Sequence, residues 1–387
     1  MTASEAHDAD PDAGGGATRR TFLTGGVAGA AAGIVGSATA GAFRGPAARS
    51  PGPAVHTGKN VEWRLASSFP ASLDTIYGSA EVLAERVAAM TGGAFRIQVF
   101  QGGELVPALQ VMDAVEKGSV QVGQTGGYYY TGKHPALAFD TTLPFGLTPR
   151  QQNAWLLEAG GMELLRRIYA EFGIVSFPAG NTGAQMGGWF RTPVESLADL
   201  QGLRMRIPGL GGKVMDRLGV SVQVLGGGEI YSALERGAID ATEWVGPYDD
   251  EKLGFWRVAK LYYYPGGWEP GPSLSFLVNR VAFEALPVTY REVFTAACQE
   301  GAAAMQVRYD QKNPAALRRL VERGVELRPF SVDIMRGARE ASTALLDDEA
   351  SRNAQYREIL EHWRAFRAET VRWFGTAELA FAKFAWS

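Results

Sequence analysis

From residue 61 onward the chain alternates between two hydrophobic periods, and that order constrains its fold more than any other feature. Residues 61–66 (VEWRLA) read as a strand. Ile76, Ala80, Leu83, Val87 and Ala88 then share one helical face, which Gly92-Gly93 ends. Residues 95–100 alternate as a second strand. Residues 109–117 read as a helix stopped by Gly118, and 120–124 as a third strand. A β-α-β-α-β order predicts an α/β domain with parallel strands.

The rest of the chain extends that reading. Residues 151–172 are expected as one long helix and 174–177 as a strand. The Gly-rich run 178–190 marks a crossing into a second domain. Residues 273–279 are a strand returning to the first domain. Residues 280–324 are mostly helix with a break or kink near Asn313-Pro314, residues 325–327 a short strand, and 333–374 helical. The body from Asn60 is long enough for two ordinary domains.

Before it stand Arg19-Arg20-Thr21-Phe22-Leu23, an Ala/Gly-rich stretch, and the small residues Ala38-Thr39-Ala40. This pattern matches a twin-arginine export signal with a cleavage site. Residues 1–42 are therefore expected to be removed, and 43–59 to form a Pro/Gly/Ala linker. The domain bounds read as 60–184 for the first part of domain I and 185–271 for the first part of domain II. Residues 272–310 return to domain I with a long connecting helix. Residues 311–387 are C-terminal helices that pack on domain II and end in an apolar tail.

Formal net charge is −3, which argues against nucleic acid and polybasic membrane contacts as partners. The single cysteine, Cys298, allows no internal disulfide. The four histidines, His134 among them, show no ligand spacing, so a zinc site is not expected.

The chemistry concentrates between residues 200 and 272. In 203–207 Leu203, Met205 and Ile207 alternate with Arg204 and Arg206, and Pro208-Gly209 ends the strand. An arginine at a strand end can meet a carboxylate with two parallel hydrogen bonds; otherwise both arginines are solvated. Gly226-Gly227-Gly228 has neither P-loop nor dinucleotide spacing and reads as a tight strand-to-helix turn. Residues 238–242 are a strand that delivers Glu243-Trp244 to its C-terminal end, where α/β sheets bind ligands. Glu243 is then either a metal ligand or a hydrogen-bonded core acid. Glu269 lies in an aromatic loop, 262–272, that reads as a pocket wall. Tyr128, Tyr129 and Tyr130 follow the third strand and either donate to a ligand or pack in the core. Gln185, among glycines, either reaches into a cleft or caps a sheet edge.

With these residues in view, the chain resembles the extracytoplasmic solute-binding proteins of tripartite ATP-independent periplasmic (TRAP) transporters. The resemblance runs from about residue 60 to the end. It rests on Gly180-Asn-Thr-Gly-Ala-Gln185-Met-Gly-Gly-Trp189, Arg204-Met-Arg206-Ile-Pro-Gly209, Gly237-Ala-Ile-Asp-Ala-Thr-Glu243-Trp244 and Tyr262-Tyr-Tyr-Pro-Gly-Gly-Trp268-Glu269-Pro-Gly271. The Arg-Ile-Pro strand is widely shared among such proteins. The Glu-Trp and Trp-Glu-Pro-Gly pieces are narrower and are similar to the branch that binds 2-oxo acids or lactate with a metal ion.

The resemblance implies a two-domain periplasmic-binding-protein-like fold with the ligand cleft between domains, crossover strands and a long domain-spanning helix. It implies that Arg206 pairs with the ligand carboxylate and that Gln185, Trp244 and one or more of Tyr128, Tyr129 and Tyr130 touch the ligand. Glu243, the Trp244 main chain, Glu269 and Gln185 would hold Na⁺ or Ca²⁺, hard cations suited to oxygen donors. Its further implications are a periplasmic receptor serving TRAP permease subunits, no catalysis, and a homodimer formed through the C-terminal tail. Two other readings stay open: an exported metal-dependent lyase or hydrolase acting on a carboxylate, and a ligand-sensing partner of a membrane receptor.

Overall fold

The parallel order expected from the first strands is present. In the computed structural model, which describes residues 54, 55 and 57–387, β1 (Val61–Ser67) lies between β2 (Phe95–Phe100) and β3 (Val122–Thr125), parallel to both. In β2 Phe95 and Ile97 are buried and Arg96 and Gln98 exposed, the alternation of a strand with one face on a core. β4 (Ile174–Asn181) is the far edge of this sheet.

The strands that follow build a second sheet: β5 (Gly188–Phe190), β6 (Arg204–Arg206), β7 (Ser221–Gln223), β8 (Ala241–Thr242) and β9 (Leu261–Tyr264). β10 (Ser273–Asn279) then returns to the first sheet, antiparallel to both β3 and β4 between which it lies. β11 (Glu326–Pro329) goes back to the second sheet beside β9. The orders are β2-β1-β3-β10-β4 and β11-β9-β5-β8-β6-β7, so the chain passes between sheets at β4–β5, β9–β10 and β10–β11. The last passage is made by the Val288–Glu322 helix. It packs on β4 and the Gly78–Met90 helix, and also on the Pro247–Leu253 helix that follows β8.

Four expectations need correction. The helix expected over 151–172 is two, Pro149–Leu157 and Gly161–Glu171, separated where Gly160 takes a left-handed conformation (φ 85°). The break expected near Asn313-Pro314 is absent. Pro314 removes one backbone donor, but the helix is packed against other elements, and Asn313 Oδ1 accepts from Tyr248 N at 3.0 Å. The helix expected over 333–374 is split into Val332–Arg352 and Ala354–Phe374. Between them Asn353 is extended and its side chain caps Tyr356 N at 2.9 Å. Ile76, assigned to a helical face, precedes the helix that begins at Gly78 and instead faces a cavity.

The export signal and most of the 43–59 linker lie outside the described residues. The end of the linker is tied down: Val55 N donates to Met90 O at 2.8 Å. Among the described residues no helix is long and apolar enough to cross a membrane. The tail ends in a short helix, Ala380–Ala385, on which Phe381 and Phe384 stand 67% and 85% exposed, followed by Trp386 at 83%.

Candidate functional site

Arg206 ends β6, and the parallel register of β6 with β8 pairs it with Thr242, so the next residue of β8, Glu243, lies beside it. Glu243 N donates to Arg206 O at 3.0 Å. In return Arg206 Nη1 donates to Glu243 O at 2.8 Å and to Glu243 Oε2 at 3.2 Å, and Arg206 Nε donates to Leu225 O at 3.2 Å. The guanidinium carbon stands 5.1 Å from the Trp244 ring centre. Arg206 and Glu243 are both fully buried. Arg204, on the same strand face, is a surface residue held by Asp240 through Nε at 2.8 Å and Nη2 at 2.6 Å. The two arginines are a strand step of roughly 6–7 Å apart, enough to put one in solvent and the other in the interior.

The second half of the site comes from the passages between sheets. Gln185 follows β4, and Glu269 precedes β10. Gln185 N donates to Glu269 O at 3.2 Å, and Gln185 Nε2 to Thr182 Oγ1 at 3.0 Å. Glu269 is buried to the same degree as Arg206. The triple glycine is a helix start, as its spacing indicated. Gly227 has no room for a side chain, because a Cβ there would lie 2.4 Å from Trp244 Cη2.

Beside these parts lies a small chamber of about 10 Å³, enough for about one water, whose lining does not include Glu243 or Glu269. Arg206, Gln185 and Thr182 face it with Tyr128 and Tyr129, whose rings stack at 4.6 Å. Phe69, Ile76, Trp244, Val245 and Leu274 form its apolar wall. Tyr130 is not in this lining. Its hydroxyl pairs with Thr125 Oγ1 at 3.0 Å and accepts from Met112 N at 3.2 Å. The sequence reading named Trp244 but missed Phe69, Ile76, Val245 and Leu274 of the apolar wall, and Thr182. Phe69 was within reach, since it follows the C-terminal end of β1, the edge at which α/β sheets bind ligands. Nothing local marked Leu274.

Five polar atoms in this cluster are buried without a partner: Gln185 Oε1, Glu243 Oε1, Glu269 Oε2, Arg206 Nη2 and Trp244 Nε1. Three are acceptors, one is a charged donor and one is a neutral donor. Buried polar groups are rarely left so, and each costs about 1–3 kcal/mol. Burial pushes the Glu243 carboxyl well above the usual range, and the charge of Glu269 adds to this while Arg206 opposes it. Burial likewise raises Glu269 against the pull of Arg206. Burial works against the charge of Arg206, but Tyr129, Glu243, Tyr128 and Glu269 together hold its pKa above the ordinary value. Tyr128 and Tyr129 are raised, chiefly by burial, so both hydroxyls keep their protons and can donate.

This donor set fits a hard cation beside an anion. Two carboxylate oxygens and an amide oxygen are free for the cation, and a guanidinium NH₂ is free for the anion. Among the described residues no three His, Cys, Asp or Glu side chains gather at one point. A cation here would therefore be held by two acids and completed by neutral oxygens.

Known proteins share this architecture. The profile of the bacterial extracellular solute-binding protein family 7 matches residues 66–353. A monocarboxylate 2-oxoacid-binding periplasmic protein of Nostoc sp. is 54% identical over 326 residues, 84% of this chain and 89% of the relative. A TRAP transporter solute-binding protein from Bordetella bronchiseptica is 46% identical with a TM-score of 0.84, covering 85% of this chain and 98% of its own. It is a mixed-occupancy dimer, one site binding copurified calcium and picolinate and the other apo. A TRAP periplasmic solute-binding protein from Pseudoalteromonas atlantica, with bound sodium and pyruvate, is 36% identical with a TM-score of 0.82, covering 84% of this chain and 99% of its own.

Proposed function

The chain belongs to family 7 of the bacterial extracellular solute-binding proteins, the periplasmic receptors of TRAP transporters, and from that membership we propose that it captures a 2-oxo or 2-hydroxy monocarboxylate together with Na⁺ or Ca²⁺. Pyruvate, other short 2-oxo acids and lactate are the candidate ligands. The family is one of transport receptors rather than enzymes, which sets aside the lyase or hydrolase reading.

The observation that carries the ligand assignment is the set of partnerless buried atoms. Arg206 Nη2 is a charged donor suited to one carboxylate oxygen. Gln185 Oε1, Glu243 Oε1 and Glu269 Oε2 are the side-chain oxygens that would hold the cation, with the Trp244 main chain completing the set. The cation, when bound, supplies the positive charge that offsets the two acids and a second point of attraction for the ligand's oxygens. Tyr128 and Tyr129 would donate hydrogen bonds to the anion, and the apolar wall would exclude water and receive the ligand's carbon chain. The two sheets would carry the two lobes that close on the ligand, with the passages at β4–β5 and β9–β10 between them.

Calorimetric titration of the metal-stripped protein with pyruvate, lactate and 2-oxobutyrate, in EDTA, Na⁺ or Ca²⁺, tests this. Binding that requires one of the cations and is lost in Glu243→Ala supports the proposal. Binding unaffected by EDTA in Na⁺-free buffer overturns the cation site.

The finer points of cell biology belong to the same proposal. Arg19-Arg20 would direct export through the twin-arginine route, and the captured acid would be handed to TRAP permease subunits. Export that persists when both arginines are lysine would count against that route. The exposed Leu379, Phe381, Phe384 and Trp386 of the tail would be covered by a second copy of the chain. Light scattering on the full chain and on a chain ending at Phe374 should read dimer and monomer.

A further inference from the structure

A second cavity, of about 200 Å³, lies behind the ligand chamber. Its walls include Leu156, Met162, Gly180 and Asn181, and it opens outward past Leu157, Gln299 and Ala303, all exposed. One residue lines both this cavity and the chamber: Leu274. It is 3% exposed and is the second residue of β10.

The backbone around Leu274 is flanked by glycine. In the β10–β4 pairing Leu274 stands opposite Gly180, and the register shifts immediately after it, so that Ser275 faces Pro178. Gly180 contributes no side chain and has no space for one, since a Cβ there would lie 2.4 Å from Met305 Sδ. On the other flank, just past β3, is Gly126, where a Cβ would be 3.5 Å from Leu274 Cδ2. With glycine on both sides, the paired positions of the flanking strands place no side chain beside the isobutyl group; Met305 covers Gly180 and the Tyr128 ring covers Gly126.

The chamber's polar groups also fix the direction of the ligand. Arg206, Gln185 and Thr182 are the polar part of the lining and Phe69, Ile76 and Leu274 belong to its apolar part, so an acid whose carboxylate meets Arg206 leaves its carbon chain to the apolar residues. The chamber has little spare volume there. The cavity beyond Leu274 is larger than the roughly 150 Å³ that accommodates a benzene ring.

We propose that Leu274 sets the chain length of the acid this receptor accepts, as the one residue that lines both the ligand chamber and the cavity behind it. This rests on the 2-oxo acid reading of the site and adds the specificity determinant. Shortening Leu274 joins the two spaces, so a longer alkyl chain extends into the second one. The same opening admits water to the chamber and weakens the binding of pyruvate.

The test is calorimetry in buffer containing both Na⁺ and Ca²⁺ with pyruvate, 2-oxobutyrate, 2-oxopentanoate and 2-oxohexanoate, on wild type, Leu274→Val and Leu274→Ala. The expected result is a ratio of 2-oxohexanoate to pyruvate affinity at least about tenfold higher in Leu274→Ala. A smaller shift in the same direction is expected in Leu274→Val, which loses a single methylene and keeps the proposal testable where the alanine variant does not fold. Ala302→Leu, which narrows the second cavity, should leave the wild-type series unchanged and cancel the gain when combined with Leu274→Ala. Variants that bind pyruvate with the wild-type chain-length profile overturn the proposal while the ligand class stands. Absence of binding of every acid by the wild type overturns the ligand class, and this proposal with it.

Discussion

Glu243 and Asp250 are close in the chain, equally buried and both raised in pKa, yet their surroundings differ in kind. Asp250 is pushed up to about 7 by burial, moderated by the hydrogen bonds of Tyr262 and Trp189. Tyr262 OH donates to its Oδ2 at 2.7 Å and Trp189 Nε1 at 2.8 Å, and Val245 N reaches Oδ1 at 3.4 Å. Asp249 is held in the same way, accepting from Thr75 Oγ1 and from Tyr309 OH at 2.6 Å. Asp140 accepts from Tyr169 OH at 2.6 Å and Ser275 Oγ at 2.9 Å. Glu243 has one oxygen with no partner, the other 3.2 Å from Arg206, and the like charge of Glu269 nearby. A scaffold acid is surrounded by donors from its own chain. An acid kept for a guest has its acceptor capacity left open.

That contrast is most open to attack at Arg206. Arg206→Ala should weaken pyruvate binding in Ca²⁺ by about 1,000-fold, which corresponds to about 4 kcal/mol. Calorimetry reads it, and a loss below tenfold would remove Arg206 as the anion's partner. The corresponding change on the scaffold side should act on stability alone. Asp250→Ala strands the Tyr262 hydroxyl and the Trp189 indole N–H, and should cost about 4 kcal/mol in urea unfolding at roughly 1–3 per stranded group. Pyruvate affinity of the folded fraction should stay within a few fold. A large fall in affinity with unchanged stability would show that Asp250 belongs to the site.

The scaffold acids also have a pH signature. Asp140 is raised to about 6 from the model-compound value of 3.8, by burial and against the pull of Tyr169 and Ser275. Because the folded value lies above the unfolded one, the native state holds more protons in that window. Its contribution is therefore intact below about pH 4 and is lost as pH rises through about 6. The stability of Asp140→Asn relative to wild type should rise by about 3 kcal/mol between about pH 3.5 and pH 7. A flat difference across that range would mean that Asp140 titrates in the fold as it does in the unfolded chain.

How much of this could be read from the chain follows the same division. The parallel first strands, the return at β10 and the triple glycine as a helix start were legible, because period, breakers and spacing are local. Arg206, Glu243 and Glu269 were legible as unusual charges in apolar or glycine-rich settings. Asp249 and Asp250 were not: Pro-Tyr-Asp-Asp-Glu-Lys looks like a solvated run, and the groups that bury it come from Thr75, Trp189, Tyr262 and Tyr309, far off in sequence. Arg204 and Arg206 looked alike because alternation defines a face and says nothing about depth along the strand. Leu274, in the apolar wall, was unreadable for a related reason. Leu274 is one leucine in an ordinary strand pattern, and its place between two cavities depends on glycines of two neighbouring strands.

The smallest effect separates the two kinds of acid most cleanly, because its sign is opposite on the two sides. Glu243→Gln keeps the shape of the side chain and removes a charge that burial and Glu269 both disfavour. Arg206 Nη1 retains its 2.8 Å bond to the Glu243 carbonyl, so the guanidinium is not stranded. Metal-free Glu243→Gln should therefore unfold at higher urea than metal-free wild type, by about 1 kcal/mol, because it removes one of two buried carboxyls that disfavour each other's ionisation and leaves Glu269 to balance Arg206. In Ca²⁺ and pyruvate the order should reverse, since only the wild type gains the free energy of ligand binding. If Glu243→Gln destabilises the metal-free protein as Asp250→Ala does, Glu243 is a scaffold acid as well, and the open acceptor at its Oε1 is not reserved for a cation.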